Sequence, residues 1–204
     1  MKFILGKKEH MVQYFNDNGT VVPATLVSAG PIIVTQIKNT NTDGYTAVQV
    51  AFDEAKKERA TKAHLGHVKE GAYKHLREFT AEGDGKELDW KVGDKIDVST
   101  FKKGDTVIVS GTSKGKGFQS VIKRHGFHGG PRTHGQKHSE HEPGSIGGGL
   151  RNRVPKGTRM AGRMGGDRIT IKNLKIVEVD VVNNQLLVLG AIPGRRGSLI
   201  EIIG

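Results

Sequence analysis

The sequence predicts a mainly β protein, in which short strands form a small closed barrel and a long irregular extension interrupts them. Runs of β-branched residues, separated by Gly, Pro, Asn and Asp, recur near both ends of the chain, as expected for short strands joined by tight turns. Between them lie 58 residues, 111–168, with only ten apolar side chains. Such a segment is too poor in apolar groups to form a core of its own.

The first strands are predicted from the N-terminal residues. Residues 3–15 alternate loosely between apolar and polar side chains and end at the turn Asp17-Asn18-Gly19, which is typical of a hairpin. Further β-branched runs are separated by Gly30-Pro31 and by the polar residues 41–44, and they cover residues 20–26, 32–37 and 45–52.

Residues 53–80 are predicted to form a small helical insertion on the barrel. Asp53 is a suitable N-cap, and the run Glu54–Ala60 consists mostly of good helix formers with little apolar face. The acidic, glycine-containing stretch 82–89 is interpreted as a surface loop.

The remaining strands are predicted from two Gly-Asp pairs and from the C-terminal residues. Strands are expected at 96–98 and 107–109, and then at 169–182, 185–189 and 198–203, with a tight turn at Asn183-Asn184. Residues 1–110 and 169–204 are therefore assigned to a globular barrel domain. Residues 111–168 are assigned to an extended, basic, glycine-rich loop.

The charge of the chain indicates a polyanionic partner, either nucleic acid or an anionic membrane. Lys and Arg number 32 against 21 Asp and Glu, a net charge of +11. Residues 111–168 alone carry +9, and they hold seven of the eleven arginines. Guanidinium groups fork onto phosphates and stack on bases, so the segment is predicted to bind RNA. The alternative is a disordered basic linker.

Several other classes of function find little support. The chain has no cysteine, which excludes disulfides, thiolate zinc sites and cysteine nucleophiles. No apolar run approaches the ~18–20 residues that span a bilayer, and Phe3-Ile4-Leu5 is too short for the core of a signal peptide. A cytoplasmic protein without membrane contact is therefore expected. Gly115-Lys116-Gly117 fits neither a dinucleotide fingerprint nor a P-loop.

Neither a metal site nor a catalytic site is predicted. The five histidines of residues 111–168 are irregularly spaced, with only Glu140 and Glu142 nearby, so stacking or hydrogen bonding to RNA is their preferred role. Ser145 lacks a nucleophile-elbow pattern. We predict no enzyme, no cofactor and no small-molecule substrate. A free-standing nucleic-acid chaperone or DNA-binding protein and a metal-dependent hydrolase are the alternative classes.

A series of short motifs resembles the bacterial form of the ribosomal protein L3 family, over nearly the whole chain. In the basic segment these motifs are Gly111–Gln119, Val121–Arg124, Thr133–Gly135, Pro143–Gly147 and Met160–Gly162 with Met164-Gly165. Flanking motifs fit the family's first barrel strands, its inserted section and its last turn, and they are Val22-Pro23, Ala29–Pro31, Val34–Gln36, Asp43–Tyr45, Leu65–His67, Leu76–Phe79 and Gly190–Gly194.

The resemblance implies a translation-protein-type β-barrel on the large ribosomal subunit, with a long extension into ribosomal RNA. It also implies binding early in assembly, contacts with neighbouring ribosomal proteins, and an extension tip near the peptidyl transferase centre. The sequence departs from the family at Ser120, where Gly is usual, and at Leu150. Leu150 is the nearest match to a glutamine that is methylated in many bacterial relatives, so we expect that modification to be absent.

The residues predicted to bind RNA carry a positive charge, an imidazole or a hydroxyl group within the basic segment. They are Lys114, Lys116, Lys123, Arg124, His125, Arg132, His134, Lys137, Ser145, Arg151, Arg153, Lys156, Arg159, Arg163 and Arg168.

Overall fold

The chain divides into two compact units. The computed structural model describes residues 2–16, 18–68, 71–80, 90–149 and 152–204. The first unit, here the barrel unit, comprises Met1–Thr112 and Arg168–Gly204, and the second, here the basic unit, comprises Ser113–Asp167.

The described residues contain far more strand than helix. The strands are β1 (Phe3–Phe15), β2 (Val21–Ala29), β3 (Ile32–Lys38), β4 (Ala47–Glu54), β5 (Tyr73–Thr80), β6 (Lys95–Ile96), β7 (Thr106–Thr112), β8 (Phe118–Gln119), β9 (Gly162–Arg163), β10 (Arg168–Asp180), β11 (Gln185–Leu189) and β12 (Leu199–Ile203). The helices are α1 (Thr40–Asp43), α2 (Lys62–Val68) and α3 (Val121–His125), with 3-10 turns at Lys57–Arg59 and Val98–Thr100.

Six strands close into the barrel, in the order β1-β12-β7-β10-β11-β2. All six pairings are antiparallel. Alternate residues point inward, so Val107 and Val109 of β7 meet Ile200 and Ile202 of β12 in a fully buried core. This arrangement confirms the predicted mainly β fold with a small closed barrel.

Strands β3 and β4 lie outside the barrel, in a second sheet of order β5-β4-β3-β6, although their motifs fit barrel strands of the family. Gly30 adopts a left-handed φ of +67°, and Pro31 has no N–H to donate to a ladder. The chain therefore leaves the barrel after β2. The second sheet covers β1, where Phe79 of β5 stacks on Phe3.

The helical insertion predicted over 53–80 is present only as α2 and one 3-10 turn, and residues 73–80 form β5 instead. The charged run 54–60 has no apolar face to bury, so nothing stabilises a helix there. Asp53 does not cap a helix. It is the last residue but one of β4 and has a φ of +63°, and its carboxylate lies 2.7 Å from the Nζ atoms of both Lys7 and Lys74. The loop predicted at 82–89 lies outside the described residues.

The basic unit contains short regular elements that the sequence did not reveal. Strands β8 and β9 pair through Phe118↔Arg163 and Gln119↔Gly162, and α3 follows directly. Two-residue strands leave no periodic pattern, which is why sequence analysis missed them. Val121 is the one buried residue among those described in this unit, so burial contributes little to its stability.

Candidate nucleic-acid interface

Backbone hydrogen bonds align two arms of the basic unit, the first arm being residues 113–119 and the second arm residues 160–167. Ser113 N donates to Asp167 O at 2.8 Å, Lys116 N to Met164 O at 2.9 Å, and Met164 N to Gly117 O at 3.0 Å. Gly165 permits this approach, because it has a φ of +77° and a Cβ there would lie 2.3 Å from Lys114 O. The glycines here keep two backbones close, and the same arms carry Lys114, Lys116 and Arg163.

An exposed aromatic ring lies beside an arginine on one face of the β8–β9 strand pair. Phe118 is 76% exposed and lies directly opposite Arg163 in the β8–β9 register, so the two side chains share a face. An open ring next to a guanidinium group is a suitable stacking surface for a nucleobase. Sequence analysis missed Phe118 as a site residue. Its position between Lys116 and Lys123 was the available signal.

Helix α3 is fastened to the second arm through two predicted site residues. Arg124 Nη1 donates to Met160 O at 2.9 Å, and His125 Nε2 lies 3.2 Å from the same oxygen. A Cβ on Gly162 would meet Arg124 Nη1 at 2.6 Å. Arg124 and His125 therefore hold the arms together as well as presenting polar atoms.

A cleft of about 620 Å³ opens beside α3 and is lined by residues including His125, Phe127, His128, Gln136 and Arg159. The His125 and Phe127 rings are 6.1 Å apart. Rings, an amide and a guanidinium group together offer both stacking and hydrogen bonding to a base. Phe127 and Gln136 were not among the predicted site residues, whereas His128 is one of the five histidines for which contact with RNA was the preferred role.

The basic unit carries positive charge that its own carboxylates do not neutralise. Its sequence holds eleven Lys and Arg against three acidic residues, a net charge of +8. Within the described residues, Arg132 is paired, with its Nε 2.6 Å from Glu140 Oε1. The other described lysines and arginines of the unit are exposed and form no ion pair among the described residues. One of them is Arg124, and the others are Lys114, Lys116, Lys123, Lys137, Arg153, Lys156, Arg159 and Arg163.

The barrel unit pairs many of its cations. Seven of the eight ion pairs among the described residues lie in this unit. Lys38 Nζ lies 2.9 Å from Glu78 Oε1, and its hydrogen bond lowers the pKa of Glu78. The hydrogen bonds that Lys38 donates to Tyr45 and Glu78 in turn raise the pKa of Lys38. The paired cations of the barrel unit already have a carboxylate partner, whereas the unpaired cations of the basic unit are available to bind an anion.

Three other predicted site residues have distinct surroundings. Arg168 begins β10 in the barrel unit, where it binds Glu201. Ser145 Oγ donates to Gly147 O at 2.9 Å, and His134 is exposed with a φ of +62°. Arg151 lies outside the described residues, as does Leu150. Among the residues that are described, no three candidate metal ligands come together, and no helix is long and apolar enough to cross a membrane.

Comparison with known proteins places these features in a family. The sequence model described as Ribosomal protein L3 matches residues 34–187. The Large ribosomal subunit protein uL3 of Chloroherpeton thalassium is 47% identical, with 100% of this chain and 99% of that protein covered. The same-named protein of Bacillus cytotoxicus is 46% identical over 100% and 96%, and uL3c of Paulinella chromatophora is 48% identical over 98% and 91%.

A barrel with a basic appended unit and these matches define the class as a structural ribosomal protein and not an enzyme. The chain belongs to the ribosomal protein L3 family, as its motifs predicted. It is accordingly a structural constituent of the large ribosomal subunit.

Proposed function

We propose that the chain binds large-subunit ribosomal RNA through its basic unit, supports early assembly of the subunit, and braces RNA near the peptidyl transferase centre. The observation that carries this proposal is the set of nine exposed lysines and arginines of the basic unit that have no ion pair among the described residues. Phosphate groups are the natural partners of such a set, because neutralising them releases the counterions condensed on the RNA.

Different side chains have different parts in this binding. The flexible lysines Lys114, Lys116 and Lys156 act as point charges towards phosphates, whereas Arg153, Arg159 and Arg163 can also fork onto phosphates or stack on bases. Phe118 adds a stacking surface beside Arg163. Ordering of the unit by RNA follows from its single buried residue among those described.

The bracing role is assigned to the tip, residues 144–153. The family resemblance implies a position for this loop near the catalytic RNA, and its composition supports a passive role. It contains Ser145, Asn152, two arginines and four glycines, and none of these is a general acid or base near neutral pH. The tip is thus suited to shaping RNA and unsuited to proton transfer. In this proposal, the barrel unit contacts neighbouring ribosomal proteins in the cytoplasmic ribosome.

A matched pair of triple variants tests the RNA interface. In one, Lys114, Lys116 and Lys156 of the basic unit are changed to Gln. In the other, Lys91, Lys95 and Lys172 of the barrel unit are changed to Gln. All six lysines are exposed and none has an ion pair within the described residues, so the two variants differ only in location.

Affinity for a large-subunit rRNA fragment is measured as a function of salt. The first variant is expected to lower the slope of log affinity against log salt by about 2–3, since each lost phosphate contact removes about one unit. The second is expected to leave the slope within about 1 of the wild type. Equal slopes for the two variants would show that RNA does not bind preferentially to the basic unit.

A further inference from the structure

The cleft beside α3 contains three polar side chains that have no partner in the described part of the chain. His128, Glu142 and Arg159 line it, and none of the three forms an ion pair or a side-chain hydrogen bond with another described residue. Gln136, in contrast, donates to Ser139 Oγ. The cleft volume of about 620 Å³ lies within the ~300–1,000 Å³ of small-molecule sites. The cleft therefore has room, and unused hydrogen-bonding groups, for a nucleobase with its ribose.

The glycine-lined part of the cleft is held in place by close backbone packing. Gly130 N donates to Glu140 O at 3.2 Å, and a Cβ on Gly129 would lie 2.2 Å from the same oxygen. Arg132 Nε lies 2.6 Å from Glu140 Oε1 and closes the intervening loop. These contacts fix the walls of the cleft in the folded unit, so the lining groups face one shared space.

The lining and the surrounding charge favour an unpaired base of an RNA strand as the occupant. The rings of His125 and Phe127 lie 6.1 Å apart at this cleft, and they offer flat surfaces on which an unstacked base can pack. The net charge of +8 extends over the whole basic unit, residues 113–167. A polynucleotide neutralises charge over such a length, whereas a single nucleotide does not.

Glu142 distinguishes the cleft from the rest of the basic unit. The unit has three carboxylates, of which Glu140 is paired with Arg132 and Asp167 lies at the end of the second arm. A free carboxylate repels phosphates, so Glu142 weakens RNA binding unless a base donates hydrogen bonds to it. An ionised carboxylate accepts and does not donate. Glu142 therefore favours a base that offers donors.

Guanine is the RNA base that best matches a carboxylate. Its N1–H and its N2 amino group are adjacent donors, which the two oxygens of a carboxylate can accept together. Adenine, cytosine and uracil each offer one donor group on the pairing edge, next to acceptor atoms that a carboxylate repels. Arg159 only donates, which suits the O6 and N7 acceptors of guanine.

We propose that the cleft beside α3 captures one unpaired guanine of large-subunit RNA. The rings of His125 and Phe127 stack on the base, Glu142 accepts from N1–H and the N2 amino group, and Arg159 donates to O6 and N7. This inference rests on the proposed function and deepens it, because it adds selection of one base to phosphate contacts that carry no sequence information. Glu142 is the residue that determines the selection.

Chemical probing of purified large subunits tests the site with a matched pair of variants. Glu142→Gln and Asp167→Asn each remove one negative charge at an exposed position of the basic unit, but of the two residues Glu142 lines the cleft. Kethoxal reacts with N1 and N2 of unpaired guanines, the same edge that is assigned to Glu142. One guanine is expected to be at least about fivefold more reactive in Glu142→Gln subunits than in wild-type or Asp167→Asn subunits.

Three results of this probing would overturn the guanine site. The first is that no guanine responds to Glu142→Gln. The second is a change at an adenine, cytosine or uracil in place of a guanine, detected with dimethyl sulfate and carbodiimide. The third is an equal change in both variants, because the lost charge and not the cleft would then be the cause.

Binding of the full chain to short single-stranded RNAs measures the base preference directly. The labelled RNAs are oligouridines whose central residue is guanosine, inosine, adenosine or uridine. Guanosine is expected to bind at least about fivefold more tightly than adenosine or uridine, with inosine between them because it lacks the N2 amino group. Glu142→Gln should remove this preference without weakening binding of the all-uridine RNA, whereas Asp167→Asn should keep the preference. Displacement of the RNA by excess guanosine monophosphate would overturn its assignment to an RNA strand.

These measurements separate failure of the guanine site from failure of the proposed function. A steep salt dependence without any preference for guanosine would overturn the guanine site and leave RNA binding by the basic unit intact. A preference for guanosine that Glu142→Gln removes, together with equal salt slopes for the two triple lysine variants, would support the site and contradict the phosphate contacts of the basic unit.

Discussion

The rings of Phe3 and Phe79 stack with their centroids 4.5 Å apart and their planes 22° apart. Phe3 belongs to β1 of the barrel, and Phe79 belongs to β5 at the edge of the second sheet. Both side chains are buried, and Trp90 meets Phe3 at 6.0 Å. This aromatic contact joins the two sheets of the barrel unit into one core.

Phe79→Ala is therefore expected to destabilise the barrel unit by about 3–5 kcal/mol, because it removes a large buried ring and leaves a cavity. Urea unfolding of the full chain measures the loss. Phe15→Ala is the control, since its exposed ring has little to lose and should change stability by less than about 0.5 kcal/mol. Similar losses for both variants would show that the stacked pair has no special role in the core.

The same contact explains which part of the fold sequence analysis missed. The barrel strands were predicted because β-branched runs and turn residues are local signals. Residues 73–80 are rich in Lys, His, Arg and Glu, and they become a strand through pairing with β4 along Ala47↔Thr80 to Glu54↔Tyr73. Such long-range pairing, with Phe79 reaching Phe3, leaves no local pattern.

The candidate site likewise has one part that composition predicts and another part that only the folded structure reveals. The excess of arginine and lysine between 111 and 168 is a property of composition, and it pointed to the basic unit directly. The pairing of Phe118 with Arg163 depends on the register of two short strands, and the two residues are 45 positions apart in the chain. The pairing of Arg168 with Glu201 likewise depends on the barrel, so neither could be predicted from the sequence.

Gly165→Ala is expected to open the arms of the basic unit. An alanine in the left-handed backbone conformation of Gly165 costs ~1–2 kcal/mol, and its Cβ would overlap Lys114 O. Amide exchange at Lys116 and Met164, which bond across the arms, should accelerate by at least about tenfold. Gly148→Ala is the control because nothing lies within 4 Å of its added Cβ.

Hydrogen exchange of the wild-type chain supplies the baseline for that comparison. Residues 114–165 are expected to exchange faster than the barrel strands in the absence of RNA, because so few of their side chains are buried. Strong protection throughout this segment in the free protein would contradict the view that RNA orders it.

Asp53→Asn is expected to make stability less sensitive to acid. Burial raises the pKa of Asp53, but hydrogen bonds from Lys7 and Lys74 outweigh burial and hold the pKa below its ordinary 3.8. A carboxyl with a lowered folded-state pKa contributes stability above pH 3.8, and that contribution is lost as pH falls through the folded-state pKa. Asn tolerates the left-handed backbone at this position, so the backbone is conserved.

Urea unfolding at pH 7 and at several values below pH 3.8 measures this difference. The Asp53→Asn variant should be less stable than the wild type at pH 7, and this gap, the difference in the free energy of unfolding, should narrow in acid. Glu54→Gln, at an adjacent exposed carboxyl without an ion pair in the described residues, should show no such narrowing. A gap that stays constant with pH would exclude the two lysine contacts as its cause.

Affinity of the full chain for large-subunit RNA is expected to fall steeply with salt. If the free cations of the basic unit neutralise ~6–10 phosphates, affinity should drop by ~10³–10⁵ between about 50 and 200 mM salt. Filter binding or fluorescence anisotropy across that range measures the slope. A nearly flat dependence would mean that phosphate contacts contribute little to binding.

We propose that Arg151 and Arg153 in the tip brace RNA without taking part in peptide-bond chemistry. Changing both to Ala should slow subunit assembly or alter substrate and drug fit, because guanidinium contacts to RNA are lost. Single-turnover peptide-bond formation in the variant subunits that do assemble should stay within about tenfold of the wild type. A loss of ~10²–10⁴, the size expected for removal of a general acid or base, in subunits whose RNA structure is unchanged by chemical probing would refute the bracing role.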